Sequence, residues 1–85
     1  MSRLDRCLAA LRFLARSSEP NGLIVAELRI KEFLASVASS PVELQTSLKN
    51  LNNALIREAE LRPQEASFWQ GVRDFIAPRL ADDDD

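Results

Sequence analysis

Apolar residues recur along the chain at helical spacing in four stretches. The clearest is Leu44, Leu48, Leu51 and Leu55, separated by four, three and four positions. That spacing places all four side chains along one line of a helix. Ser39-Ser40-Pro41 precedes the line. Ser40 suits the N-cap, Pro41 the first helical position, and Glu43 completes a capping box. Pro63 disfavours helical geometry at Arg62, so the helix is expected to end near Leu61. Asn50, Asn52 and Asn53 are weak helix formers in its middle, which makes tertiary packing its main support. The leucine line spans only about two heptads, fewer than a stable coiled coil shows. Glu58 then stands where another apolar residue would continue it. The stripe therefore reads as a wall of the core rather than a zipper.

Three further segments carry the same periodicity. Ser2 and Asp5 resemble a capping box at the start of a helix from about Ser2 to Arg16. Leu4, Cys7, Leu8, Leu11, Leu14 and Ala15 form its apolar face, and Phe13 lies opposite, near Arg6 and Arg16. Pro20-Asn21-Gly22 is a turn signal. A second helix is expected from about Leu23 to Ala38, with Ala26, Ile30, Phe33 and Val37 on one side and Ile24, Leu28 and Ala35 on the other. A fourth, from Pro63 or Gln64 to Ala77, presents Phe68, Trp69, Val72, Phe75 and Ile76, and Pro78 stops or kinks it. The expected fold class is all-α. Residues 1–80 form one small bundle of four (or three long) helices, mostly antiparallel, and residues 81–85 form an acidic disordered tail.

The chain has 85 residues, and a core of that size gives limited net stability. Neither of the usual reinforcements is available in full. A single cysteine, Cys7, cannot form an internal disulfide, and without histidine one thiol does not make a usual zinc site. Self-association is the remaining route, so a homodimer is expected. Cys7 itself reads as a small buried hydrophobe. No apolar run approaches the ~20 residues needed to span a bilayer. Residues 1–18 are arginine- and serine-rich with one acid, as in a mitochondrial presequence. Their core-helix spacing favours a helix of the domain instead, and a cytoplasmic location is expected.

Candidate chemistry is sparse. The absence of histidine and tyrosine removes common acid–base groups, and Gly22 and Gly71 make no phosphate-binding loop. No catalytic residue, cofactor or metal site is expected. Charge is uneven. Four arginines face Asp5 alone through Arg16, whereas from Pro63 onward Arg73 and Arg79 face Glu65, Asp74 and Asp82–Asp85. Val25-Ala26-Glu27-Leu28 and Ser39–Leu44 resemble parts of a helix-turn-helix. The stretch between them is too long for its compact turn, and the would-be recognition helix is nearly neutral, which argues against nucleic acid. A small DNA-binding regulator is the alternative reading.

Phe13 and the Ile24–Leu28–Ala35 strip exceed what one core needs. The main expectation is therefore a non-enzymatic protein-interaction module, an adaptor, chaperone-like cofactor or inhibitor acting as a homodimer. Phe13, Ile24 and Leu28 are its contacts, with Arg6 and Arg16 at the rim.

Overall fold

A computed structural model of the chain describes residues 2–17, 20–37 and 39–80. These residues are helical almost throughout, in the order α1 (Arg3–Arg16), α2 (Gly22–Val37), α3 (Pro41–Leu61) and α4 (Ala66–Ile76). The acidic tail and Ala38 lie outside the described residues.

The helix starts follow the capping chemistry. Ser2 Oγ accepts from the Asp5 N–H at 3.0 Å, and Asp5 Oδ2 accepts from the Ser2 N–H at 3.3 Å. This reciprocal pair satisfies two amides that the first turn cannot. At α3, Ser40 Oγ accepts from the Glu43 N–H at 3.1 Å with Pro41 in the first turn. The returning bond from Glu43 is not observed there. Pro63 begins a separate 3₁₀ turn, Pro63–Glu65, so α4 starts at Ala66, later than the sequence pattern indicates. Pro78 does not end the chain's curl abruptly. It sits in a second 3₁₀ turn, Ala77–Arg79, and Leu80 beyond it packs against the core.

All four helices contribute to one core. Leu11, Ile30, Leu48, Leu51, Leu55, Trp69 and Ile76 are buried almost completely, with Cys7, Leu8, Ala26, Phe33, Leu34 and Val72 around them. The leucine line is thus a core wall, except that Leu44 at its start is half-buried. Trp69 combines burial with a satisfied polar edge: Nε1–H donates to Glu65 Oε1 at 3.1 Å, and Phe68 meets its ring nearly perpendicularly, 5.2 Å between centroids. Gly71 permits close approach of α4 to α2, since a Cβ there would fall 3.0 Å from Leu23 Cδ1.

The helices pair unequally. α1 makes its extensive contact with α2 alone, whereas α3 packs broadly on α4, and α2 reaches both α3 and α4. Helix α2 is therefore the central strut between the first helix and the other two.

Truncation inside the core should cost far more than truncation outside it. Leu51→Ala is expected to lower unfolding free energy by about 2–5 kcal/mol, and Val42→Ala, on the exposed start of α3, by less than about 0.5 kcal/mol. Urea midpoints measure both. Equal midpoints for the two variants would contradict this core.

Candidate functional site: the outer face of α1 and α2

The described residues hold no cluster of three or more potential metal ligands. No helix among them is long and apolar enough to cross a membrane. The buried polar group with the richest surroundings is Glu58, only 5% exposed. Its two carboxylate oxygens are divided between two arginines. Oε2 accepts from Arg12 Nη2 at 2.7 Å and Arg12 Nε at 3.1 Å, across 46 positions of sequence, and Oε1 accepts from Arg62 Nη1 one turn further along the chain. The Arg12 bonds hold the Glu58 carboxyl below the usual range, against the opposing effect of burial. This triad is a structural tie. Its cations are spent on Glu58, and it leaves no acid poised for proton transfer.

That tie alters the reading of the arginine-rich first helix. Arg12, one of the four arginines of the first helix, faces inward to Glu58. Arg3, Arg6 and Arg16 remain exposed. Cys7 is buried on the core face, as its spacing indicates, and burial pushes its thiol up to about 11, which keeps it protonated and unreactive.

The proposed contact residues all lie outside the core. Phe13 is 72% exposed, Ile24 59% and Leu28 54%, and Ala35 is exposed as well. Among the described residues, neither a neighbouring segment nor the Trp69 region covers them. The structure distributes them over two adjoining helices: Arg6 and Phe13 lie on the outer side of α1, and Ile24 and Leu28 stand one turn apart on α2. Arg16 occupies the last turn of α1, where a cation also complements the helix dipole. Val42 and Leu61, near the two ends of α3, are exposed too.

Two concavities flank the exposed strip of α2. Between α1 and α2 runs a groove of about 470 Å³, with Arg3, Arg6 and Arg29 on its walls and Cys7, Ala10 and Phe33 in its floor. On the other side of α2, Leu34, Ala35, Leu44 and Leu48 line an apolar recess of about 400 Å³. Lys31 and Arg79 stand at this recess, and both lie over the Phe75 ring, at 5.9 and 4.2 Å from its centroid. Sequence spacing identifies the exposed strip. It does not reveal the groove, because the groove needs the pairing of α1 with α2. No family model, characterised protein or solved structure matches the chain.

The triad yields a contrast in stability. Arg12→Leu strands a buried carboxylate beside Arg62 alone and should cost about 2–3 kcal/mol. Glu58→Leu extends the leucine line, releases two half-exposed arginines to water, and should cost less than about 1 kcal/mol or stabilise the fold. The reverse order in urea unfolding would sink the assignment. The pH dependence follows from the sign of the shift. A carboxyl depressed in the folded state contributes stability above its ordinary value of 4.5 and loses it as pH falls through the folded value. Stability should therefore decline below pH 4.5, and less steeply in Glu58→Leu, as followed by thermal unfolding across pH. Equal slopes in the two proteins would contradict the depressed carboxyl.

Proposed function

We propose that this chain is a non-enzymatic protein-binding module of the cytoplasm, an adaptor or inhibitor that works through the outer face of α1 and α2. Ile24, Leu28 and Ala35 form the self-association strip of a homodimer, and Phe13 extends the apolar contact onto α1. The observation that carries the reading is the exposure of Phe13, Ile24 and Leu28 together, beside a core that is already complete without them. Large apolar side chains grouped on one side of a small protein usually mark a contact surface. Arg6 and Arg16 would orient the partner and contribute to encounter rate more than to affinity.

Duplex DNA suits this surface less well. Arg12 is held by Glu58 and Arg29 by Glu32, at 3.1 Å. The cations left on α1 are too few to follow a phosphate backbone, and the net charge of −2 opposes a polyanion.

Light scattering coupled to size exclusion tests the self-association directly. A dimer is expected at tens of micromolar, and Leu28→Asp should yield a monomer with unchanged helical circular dichroism. A wild-type monomer at that concentration, or a Leu28→Asp dimer, would remove the proposed interface.

A further inference from the structure

We infer that the groove between α1 and α2 is a docking site for an acidic segment of a partner protein, an inference that rests on the protein-binding reading above. Of its α1 lining, Arg3, Arg6 and Ala10 recur at three and four positions, and Phe13, three positions on and beyond the lining, continues the same side of the helix. The line begins with two cations and ends with an exposed aromatic ring. Arg6 and Phe13 stand seven residues apart, about 10 Å along the axis. Arg29 of α2 stands on the facing wall.

The charge of the groove is unbalanced. Three guanidinium groups face one carboxylate, Glu32, whose Oε1 already accepts from Arg29. Asp5, the acid of α1, is turned to the Ser2 N–H at the helix start. Arg3 and Arg6 form no ion pair among the described residues. Cys7 adds no negative charge, because its thiol stays protonated. The floor of Cys7, Ala10 and Phe33 is largely apolar, which strengthens any charge pair formed above it.

Those features select the occupant. A guanidinium fork pairs bidentately with a carboxylate, and two such forks one turn apart fit two acids of a peptide. An apolar residue about 10 Å further along that peptide would meet Phe13. A phosphate backbone needs a longer cationic track than the one that ends at Ala10 and Phe13.

Fluorescence anisotropy tests the site with a labelled peptide in which a run of aspartates is followed, two helical turns on, by leucine and phenylalanine. Binding to the full chain is expected at low salt, and it should weaken as salt rises. R3E/R6E should weaken it by roughly tenfold or more, since each reversal turns a pair into a repulsion. The two glutamates fall in the first turns of α1, where the helix dipole favours them, so the fold is retained and circular dichroism verifies it. Phe13→Ala should weaken binding and leave its salt dependence in place. A parallel arm uses D82N/D83N/D84N/D85N, so that the chain's own run of aspartates cannot compete for the arginines. Absence of binding in both arms, equal binding by R3E/R6E, equal binding of a lysine-for-aspartate peptide, or preference for duplex DNA would each overturn the site. If the peptide fails while the Leu28→Asp-sensitive dimer persists, this inference alone falls. If a monomeric chain binds the peptide through Arg3 and Arg6, the site stands and the homodimer falls.

Discussion

The Glu58 carboxylate lies in the core with one oxygen on Arg12 of α1 and the other on Arg62 at the end of α3. An ionised carboxylate stays in such a place only when paired, so its position constrains both helices. The constraint matters because α1 makes extensive helix contact only with α2. Arg12 gives it a second, directional attachment to α3. The bond fixes the rotation of α1 about its own axis: Cys7, Leu8 and Leu11 turn inward, and Phe13 is left on the opposite side. A helix rotated to bury Phe13 would withdraw Arg12 and leave the carboxylate half-paired. The internal tie and the exposed ring are therefore two results of one geometry.

Much of the fold is legible in the sequence because it rests on local rules. The Ser2–Asp5 box, the Ser40–Pro41 start and the leucine line each act within one helix and appear as expected. The role of Glu58 is not legible in the same way. As the next position on the leucine line it reads as an interruption, and only Arg62, four positions on, gives a local hint of pairing. Its stronger partner lies 46 positions away, on a helix whose arginines look equivalent in sequence. Arg12 differs from Arg6 and Arg16 only through the packing of three helices. The late start of α4 has a simpler cause: Pro63 tightens the connection into a 3₁₀ turn before an α-helix can form.

The outer face was readable as a surplus. Helical spacing puts Phe13 and the Ile24–Leu28–Ala35 strip outside any single core, and they are exposed in the folded chain. What spacing does not supply is the relation between neighbouring helices. Only when α1 lies on α2 do Arg3, Arg6 and Arg29 line one groove, next to the apolar strip. The surface then combines cations, an aromatic ring and aliphatic side chains, a composition common at protein contacts.

Arg12 and Glu58 act as a coupled pair that sets α1 on the bundle. A double-mutant cycle measures this most directly, with Arg12→Ala, Glu58→Ala and the combined variant unfolded in urea. Coupling of about 1.5–3 kcal/mol is predicted, because each single change removes the same charge-assisted bonds. Additivity within about 0.5 kcal/mol would show two independent residues and contradict the account.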